Sequence, residues 1–444
     1  MGSKNTLPEG WRRVKLGEIA EILTGATPLR ERMEYWNNGT IPWLTNEEVE
    51  EDKINYIRDT KEKITEVALK RTNVKLIPED SVILSLTASV GKVAINKVKL
   101  TTNQQFNAFI VSKQRAFPLF VGYYLLFSKE NIKMLAGLTT FDFIGRTTIS
   151  NFQILLPPLP EQRKIAEILE TIDNAIEKTD AIIEKYKRIK QGLMQDLLTR
   201  GIAESYELGV MSYELRDEKK HRFKDSLLGR IPEEWEVAEL EAISFNITDG
   251  KHGDCQDEEN SGYYFVSAKD IYDGKIHYEN VRQITKRDFE EAHKRTKLEP
   301  FDIILTNSGT IGKIAIIKDQ PETYKTTFQK SVAIIKLNTD LANPYFIAQK
   351  LESIIKKLIN ESYGSAQQNL LLRDLRRLLI LLPPLPEQHH IASILSQIDE
   401  AIEKEQKYKE KLERIKRGLM EDLLTGKVRV NHLIEEGVEL PQEA

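Results

Sequence analysis

The chain has 444 residues, 40% of them hydrophobic, 30% charged and 8% aromatic, which is typical of a globular protein with roughly three domains. No apolar run approaches the roughly 20 residues that a membrane-spanning helix needs. The single cysteine, Cys255, excludes an internal disulfide and a thiolate metal cluster, and it fits a reducing cytoplasm.

The formal net charge is −4, which argues against nucleic-acid binding when it is averaged over the whole chain. The charges are uneven, however, since residues 91–156 contain eight Lys or Arg and two acidic residues. Such a surface can meet phosphate, although more weakly than a strongly basic protein does. Ordinary solvated lysines explain the same pattern equally well, so charge alone leaves both interpretations open.

Two stretches of the chain carry short runs of β-branched residues between helical segments. The runs predict strands at residues 82–86, 92–95, 303–305, 313–317 and 331–337. Helices with a proline start are predicted at residues 118–127 and 344–358. Each stretch is therefore predicted to be an α+β head with a curved sheet.

An internal repeat with an offset of 226 residues is the main signal in the sequence. From Ile154 to Thr199, 31 of 46 positions are identical with their partners in the second copy, which begins at Ile380. The match continues more faintly through the heads. The chain is therefore two copies of one unit, each a variable head followed by a near-invariant tail. The simplest reason is that the tails contact each other or a shared partner, while the heads recognise different things.

Each tail predicts a helix of about 38 residues and about 57 Å, with Pro160 or Pro386 in its first turn and Gly201 or Gly426 just past its end. An amphipathic helix of this length must bury its apolar stripe, so we predict an antiparallel coiled coil between the two tails. The alternative is that each helix packs on its own head. The predicted seam consists of Ile165, Leu169, Ile172, Ile176, Ile183, Leu193 and Leu197, with Ile391, Leu395, Ile398, Ile402, Leu412, Leu419 and Leu423 from the second copy.

The predicted fold class is α+β, with two mixed α/β domains separated by the two long helices in a pseudo-two-fold repeat. The polar, charged stretch after the first helix predicts a linker or a partly ordered crossover. The predicted segments are the first head (1–158), the first long helix (159–200), the linker or crossover (201–230), the second head (231–384), the second long helix (385–425) and a C-terminal tail (426–444).

Motifs for catalysis are weak or missing in the sequence. We find no glycine-rich cofactor loop and no Walker A sequence. The triplet Glu51-Asp52-Lys53 fits a nuclease pattern, but such triplets arise by chance in a chain so rich in charge. His389 and His390 are adjacent, so they point to different faces of a helix and cannot share an ion. We therefore predict no catalytic residues, no metal site and no cofactor bound by this chain.

Polar loop residues remain as candidates for recognition, because Arg and Lys suit guanine edges, Asn and Gln suit adenine, and Ser and Thr suit either. Polar side chains are also common in any loop. In the first head the candidates for DNA binding are Thr24, Thr27, Arg30, Thr45, Asn46, Lys92, Asn103, Gln104 and Gln105. In the second head they are Lys251, His252, Ser267, Lys269, Asn307, Ser308, Lys313, Gln329, Lys330, Gln367, Gln368 and Asn369.

Several segments resemble the specificity subunit of type I restriction-modification systems. The doubled LPPLPEQ motif at Leu156 and Leu382, each followed by an Ile-rich helix that ends in GLM and DLLT, carries most of this resemblance. The stretches at residues 24–45 and 249–271 resemble openings of target-recognition domains, and GSAQQNL at residues 364–370 resembles a segment that precedes the helix. TTFDFIG at residues 139–145 departs from that last pattern, which puts a contact role there in doubt.

The resemblance implies a subunit without catalysis, in which each head reads one part of a split double-stranded DNA target. The helix length against about 34 Å per DNA turn implies half-sites displaced by one to two turns. The expected partners are two methyltransferase subunits and restriction-translocase subunits, which would bring S-adenosylmethionine, ATP and Mg. The expected location is the cytoplasm. The alternatives are a coiled-coil adaptor whose heads bind proteins, or a catalytic methyltransferase or nuclease, which the missing cofactor loops disfavour.

Overall fold

The computed structural model divides the chain into two compact units. Unit 1 contains residues 1–181 and 406–444, and unit 2 contains residues 182–405. The structure describes residues 7–87, 89–136, 144–207, 210–361 and 369–434. Each unit contains one head and about half of each long helix, because both boundaries between the units lie within the tails. Among the described residues, no helix combines the length and the apolar character that a membrane crossing requires.

The first head is built on a five-stranded sheet in the order β2-β9-β6-β7-β4, beside a three-stranded sheet in the order β5-β3-β8 and the antiparallel pair β1-β10. Its strands are β1 Arg12–Lys15, β2 Ala20–Thr24, β3 Ile41–Leu44, β4 Ile54–Ile57, β5 Glu62–Ile64, β6 Val82–Ser85, β7 Val93–Asn96, β8 Thr101–Thr102, β9 Phe106–Val111 and β10 Gln153–Leu156. Its helices, followed by the first long helix, are α1 Leu16–Ile19, α2 Glu66–Arg71, α3 Pro118–Phe127, α4 Lys129–Ala136, α5 Arg146–Ser150 and α6 Leu159–Leu197.

The segment after α6 is more regular than the linker that its composition predicts. It forms two antiparallel hairpins, β11 Ile202–Glu207 with β12 Val210–Leu215 and β13 Phe223–Ser226 with β14 Gly229–Pro232. Alternation of polar and apolar residues is weak in these strands, which is why the sequence does not reveal them.

The second head repeats the plan with a four-stranded sheet in the order β16-β23-β20-β21 and the pairs β15-β24, β17-β22 and β18-β19. Its strands are β15 Glu236–Glu239, β16 Ser244–Asp249, β17 Tyr264–Val266, β18 Ile271–Tyr272, β19 Lys275–Ile276, β20 Ile303–Thr306, β21 Ile314–Ile316, β22 Thr326–Phe328, β23 Val332–Leu337 and β24 Leu379–Leu382. Its helices, followed by the second long helix, are α7 Lys286–Thr296, α8 Pro344–Glu361, α9 Leu372–Arg376 and α10 Leu385–Leu424.

The two long helices run antiparallel in unit 1, where the start of α6 packs with the end of α10. Lys416 forms an ion pair with Asp173 (2.7 Å), and Lys409 forms one with Asp180 (2.6 Å). As residue numbers rise along α6, those of the partners fall along α10 by the same step. The charged residues that interrupt the apolar seam are therefore paired across it.

Unit 2 repeats this arrangement with the end of α6 and the start of α10. Lys190 pairs with Asp399 (2.8 Å), and these residues are the repeat equivalents of Lys416 and Asp173. The predicted antiparallel coiled coil and internal two-fold repeat are confirmed by these contacts.

None of the predicted seam residues is exposed. Eight are buried, namely Ile165, Leu169, Ile183, Leu197, Ile391, Leu395, Leu412 and Leu423, and six are half-buried, namely Ile172, Ile176, Leu193, Ile398, Ile402 and Leu419. The start of α6 also packs on its own head, which was the alternative prediction. Leu169 of α6 lies in one hydrophobic core with Phe120 of the head and Leu423 of α10. The helix starts therefore join head and coil into one core.

A buried glutamate in each PEQ motif joins the start of one helix to the segment that follows the other. Glu161, 1% exposed, accepts hydrogen bonds from Trp11 Nε1 (3.1 Å) and from Arg429 through Nε (2.7 Å) and Nη2 (2.9 Å). We call this cluster the unit 1 clasp. Because Glu161 begins α6 and Arg429 follows α10, the clasp joins the first repeat to the end of the second.

The unit 2 clasp has the same chemistry. Glu387 accepts from Trp235 Nε1 (3.0 Å), from Arg216 Nη2 (3.0 Å) and from the backbone amide of Ile202 (2.9 Å). Arg216 directly follows the hairpin after α6, as Arg429 follows α10. The identical LPEQ motifs therefore serve the same contacts twice.

The glutamine of each motif fixes the helix to the head. Gln162 Oε1 accepts from the amide of Phe117 (2.8 Å), and Gln388 Oε1 accepts from the amide of Asn343 (2.8 Å), each residue standing just before a head helix. Asn343 Oδ1 in turn accepts from the amide of Phe346 (3.0 Å). The Asn343-Pro344 stretch is thus a helix start, as its sequence predicts.

Lys350 of α8 is buried against the end of α6, where its Nζ donates to the carbonyl of Leu198 (2.6 Å). Burial lowers its pKa to about 8. The folded protein therefore holds this proton less tightly than the unfolded chain, and unfolding takes up a proton between pH 8 and the ordinary lysine pKa. Stability from this group rises with pH across that window and is lowest below it.

We expect the wild type to gain about 3 kcal/mol of unfolding free energy relative to Lys350→Met between pH 7 and pH 10.5, the equivalent of the pKa difference. Urea unfolding of both proteins at steps of one pH unit measures this. Lys356→Met, which changes an exposed lysine of the same helix, should show no such trend. A Lys350→Met difference that stays constant with pH would contradict the burial argument.

Candidate nucleic-acid interface

The polar candidates of the first head gather where several strands end. Register places Thr24 opposite Asn107, Leu44 beside Thr102 and Ser85 opposite Phe106. The ends of β2, β3, β6 and β8 therefore lie at one side of the sheets. We call this side edge 1, and it carries Thr24, Thr27, Thr45, Asn46, Asn103, Gln104 and Gln105.

The second head forms the equivalent edge 2. Asp249 lies opposite Ala333, Thr306 lies opposite Val332, and Lys251 is bridged to Gln329. Edge 2 carries Lys251, His252, Ser267, Lys269, Asn307, Ser308, Gln329 and Lys330. The sequence therefore selected residues from distant loops that the fold brings together in each head.

Each edge includes a short 3-10 turn with the same reciprocal cap. Thr45 precedes the turn Asn46–Glu48, and its amide and hydroxyl donate to Glu48 Oε2 (3.2 and 3.1 Å). Ser267 precedes the turn Ala268–Asp270 and donates in the same way to Asp270 Oδ2 (2.9 and 2.7 Å). We call residues 45–48 and 267–270 the capped turns. This cap is the mutual hydrogen bonding of a capping box.

A lysine from a neighbouring hairpin holds each capped turn. Lys92 Nζ donates to the carbonyl of Asn46 (3.0 Å), and Lys313 Nζ donates to the carbonyl of Ala268 (3.3 Å). Both lysines were expected to contact DNA, and both are half-buried. In this structure their ammonium groups are occupied by the protein backbone.

Other candidates are also held by neighbours within their own head. Asn103 and Gln105 bond each other through the Asn103 Nδ2 to Gln105 Oε1 contact (3.0 Å), and His252 lies 3.0 Å from Asp249. Lys251 pairs with Glu291 (3.5 Å). These contacts fix side-chain positions before any ligand arrives.

Arg30 is already bound to side chains of its own head. Its guanidinium forms two hydrogen bonds with Glu62, and it lies 3.9 Å from the ring centre of Trp36 and 4.8 Å from that of Trp43. The hydrogen bond from Arg30 lowers the pKa of the Glu62 carboxyl. To grip a guanine, Arg30 would first have to leave this carboxylate.

Buried polar atoms without a hydrogen-bond partner concentrate near the edges. Among the described residues there are seven such side-chain atoms, on Asn46, Thr87, Thr102, His293, Asn307, Ser331 and Gln349. Five of the seven belong to residues at or beside the ends of the strands that form edges 1 and 2. Unsatisfied buried groups are rare in proteins and often mark functional positions.

Two candidates, Gln367 and Gln368, lie outside the described residues, as do most of the GSAQQNL segment and of residues 139–145. Asn369 is described and exposed. The amide of the next residue, Leu370, donates to the carbonyl of Asn307 (2.9 Å), so Asn369 stands beside edge 2.

Sequence reasoning missed one glycine at each edge. A Cβ on Gly25 would lie 2.1 Å from the carbonyl oxygen of Asn103, and one on Gly250 would lie 2.1 Å from that of Phe328. Only glycine permits this approach of two backbones. A glycine follows both Thr24 and Asp249 in the sequence, and this shared position could have revealed the close approach.

The nuclease-like triplet is part of an ordinary ion-pair cluster. Glu51 and Asp52 both contact Lys129 Nζ (2.8 Å each), and this lysine lowers the pKa of the Glu51 carboxyl. His389 contacts Asn343 (3.0 Å), whereas His390 stacks on Tyr213, so the two histidines do point to different neighbours. Within the described ranges, no group of three His, Cys, Asp or Glu side chains has the spacing of a metal site.

These features define a class: an internally duplicated protein with two polar-edged heads on an antiparallel coiled coil. A family model described as the type I restriction modification DNA specificity domain matches the chain twice, at residues 8–187 and 232–414. The chain therefore belongs to the type I restriction-modification DNA specificity family, and it is a specificity subunit with two such domains. The resemblance carried by the doubled motif is confirmed.

Relatives and solved structures agree along nearly the whole chain. The type I restriction enzyme MjaIX specificity subunit of Methanocaldococcus jannaschii is 28% identical over 437 residues, covering 96% of this chain and 95% of the relative. The crystal structure of the type I S subunit from M. genitalium has the same fold, with a TM-score of 0.54, 14% identity and coverage of 96% and 98%. A chain from a study of assembly and conformational transition in a type I system gives a TM-score of 0.55, 17% identity and coverage of 95% and 100%.

Proposed function

We propose that this chain is the non-catalytic recognition subunit of a cytoplasmic type I restriction-modification complex and that its two heads read the two halves of a split DNA target. Edges 1 and 2 would contact double-stranded DNA. The observation that carries the proposal is that two edges share one frame, including the capped turn, the holding lysine and the close-approach glycine, while their polar side chains differ. Two heads with the same backbone framework but different polar side chains are suited to bind different DNA sequences.

In this proposal the chemistry belongs to partner subunits. Two methyltransferase subunits would bring S-adenosylmethionine, and restriction-translocase subunits would use ATP and Mg²⁺. This chain would contribute sequence recognition and a scaffold. The clasps support a scaffold role, because each one ties a head, a helix start and the segment after the other helix together around a buried carboxylate.

The long helices offer two equivalent faces for such partners, which we call the docking faces. In unit 2 the face consists of Ile182, Lys185, Arg188, Ile189 and Gly192, and in unit 1 of Tyr408, Lys411, Arg414, Ile415 and Gly418. All ten residues are exposed, and Ile189 and Ile415 are each 40% exposed. Each lysine here forms no ion pair with a described residue.

The two faces are identical at four of five positions and differ only in Ile182 against Tyr408, which fits two copies of one partner better than two different partners. Because the faces combine isoleucine with basic residues, the matching surface of each methyltransferase subunit would combine apolar and acidic side chains. Gly192 and Gly418 lie inside their helices, where a Cβ would meet nothing within 4 Å. Glycine weakens a helix, so a close approach by a partner supplies the missing reason for it.

A head exchange tests the recognition proposal. Residues 1–156 are replaced by the first head of another specificity subunit that keeps a tryptophan at the position of Trp11, since this indole is part of the unit 1 clasp. The reconstituted complex then methylates unmethylated genomic DNA, and sequencing maps the methylated motif. We expect one half of a split motif to change and the other half to stay.

The unmodified complex is the control. A wild-type complex without a split motif would contradict the proposed function and favour a coiled-coil adaptor. A change of both halves in the exchanged protein would contradict independent reading by the two heads.

A further inference from the structure

The capped turns combine an equal framework with unequal side chains at two positions. Thr45 and Ser267 cap with Glu48 and Asp270 through the same pairs of hydrogen bonds. Between these caps, the first head has Asn46 and Glu47 where the second has Ala268 and Lys269. The backbone is therefore fixed in the same way in both heads, whereas the side chains that it presents differ.

Within the part of the chain that the structure describes, no hydrogen bond or ion pair holds the polar side-chain groups at these two positions. Glu47 and Lys269 are exposed, and neither forms an ion pair with another residue in the described part of the chain. Asn46 is half-buried, and its Oδ1 is a buried acceptor without a hydrogen-bond partner among the described residues, so the amide has to turn outward to meet a base edge. Neighbouring candidates such as Asn103 and Gln105 bond each other instead. Free polar groups on a fixed backbone are what base recognition requires.

The chemistry of these residues assigns different bases to the two heads. An asparagine amide pairs with adenine, a glutamate accepts a hydrogen bond from cytosine N4, and a lysine donates to guanine O6 or N7. The first capped turn would therefore favour adenine or cytosine, and the second would favour guanine.

We infer that the capped turns determine the specificity of the two heads, with Asn46, Glu47 and Lys269 reading base edges. Lys92 and Lys313 are positioning residues that hold the turns and do not contact phosphate. Their Nζ atoms already donate to the carbonyls of Asn46 and Ala268. This inference rests on the proposed function and names the residues through which it acts.

An exchange of the turn tests the inference. The quadruple variant Thr45→Ser, Asn46→Ala, Glu47→Lys and Glu48→Asp gives the first head the turn of the second. The variant, assembled with its methyltransferase subunits, methylates unmethylated genomic DNA with S-adenosylmethionine, and the motif is mapped by sequencing. We expect one or two positions of one half-site to change toward guanine, with the other half-site unchanged.

Glu66→Lys is the matched control, because it makes the same charge reversal on the same head. Residue 66 follows β5, whose Ile64 pairs with Ile41 at the start of β3, so it lies at the other end of that strand from the capped turn. This variant should keep the wild-type motif. Lys269→Ala is the second arm, and it should relax one position of the other half-site about tenfold.

The positioning role of Lys92 has its own readouts. Lys92→Met should relax the same position as Asn46→Ala, and the double variant should relax it no further, since both act through one turn. The dependence of DNA affinity on salt should keep its wild-type slope, whereas loss of a phosphate contact lowers that slope by about 0.9.

The outcomes separate the two proposals. A wild-type complex without a split motif would overturn the proposed function. A wild-type split motif that survives both the exchange and Lys269→Ala would overturn the role of the capped turns alone. If the quadruple variant fails to assemble, Lys269→Ala and Lys92→Met decide the matter. An additive Lys92→Met effect with a reduced salt slope would make Lys92 a phosphate contact.

Discussion

Glu161→Ala is expected to lower the free energy of unfolding by about 2–4 kcal/mol, because the substitution removes three hydrogen bonds and leaves the buried Trp11 indole N–H and the half-buried Arg429 guanidinium without their partner. Arg429 donates twice to this carboxylate and Trp11 donates once. The carboxylate itself is 1% exposed, so water cannot replace it easily. Urea unfolding followed by tryptophan fluorescence measures the loss.

Glu167→Ala is the matched control for this prediction. Glu167 lies less than two turns further along the same helix, pairs with Lys164 (3.1 Å) and is 65% exposed, so its loss should cost less than about 1 kcal/mol. Glu387→Ala should reproduce the large effect through the unit 2 clasp, in which Arg216 and Trp235 are the donors. Equal effects of Glu161→Ala and Glu167→Ala would show that the clasp does not stabilise unit 1.

The clasps also mark a limit of sequence reasoning. The proline and glutamate at each helix start are readable from local rules, and the helices begin and end within a few residues of their predicted bounds. The partners of Glu161 lie 150 and 268 residues away. No periodicity connects Arg429 or Arg216 to these glutamates, since both arginines lie outside the helices, Arg216 directly after a hairpin and Arg429 in a loop.

The grouping of the candidate residues was predictable from the sequence, and the contacts of each side chain were less so. Loop composition found residues that the fold gathers at edges 1 and 2, since strands of one sheet bring their ends together. Sequence could not separate Lys92 and Lys313, which are held by backbone carbonyls, from Lys269, which is exposed and has no ion-pair partner among the described residues. That distinction depends on which loops meet in space. The contacts of all these residues with DNA stay predictions.

Identity between the tails has two physical sources. Positions such as Glu161 and Gln162, together with Lys190, match their partners because each makes the same internal contact twice. Internal contacts do not explain the exposed matches Ile189 with Ile415 or Gly192 with Gly418. These positions belong to the proposed docking faces, where we expect contact with an external partner to be the cause.

Gly192→Leu and Gly418→Leu are expected to remove the two methyltransferase subunits separately. At 100° per residue, Ile182, Ile189 and Gly192 fall within roughly 80° of one side of α6, so a leucine at the glycine fills the surface that the partner approaches. Native mass spectrometry should show one methyltransferase subunit bound to each single variant and none bound to the double variant. Affinity at the changed face should fall at least a hundredfold.

The free chain should respond to these substitutions in the opposite direction. A Cβ at either glycine meets nothing within 4 Å, and replacing glycine inside a helix stabilises it by about 0.5–1 kcal/mol. Higher stability with weaker assembly cannot arise from misfolding. Lys187→Leu, on the other side of α6, is the matched control and should keep both partners. Full occupancy in the double variant would place methyltransferase docking on another surface of the chain.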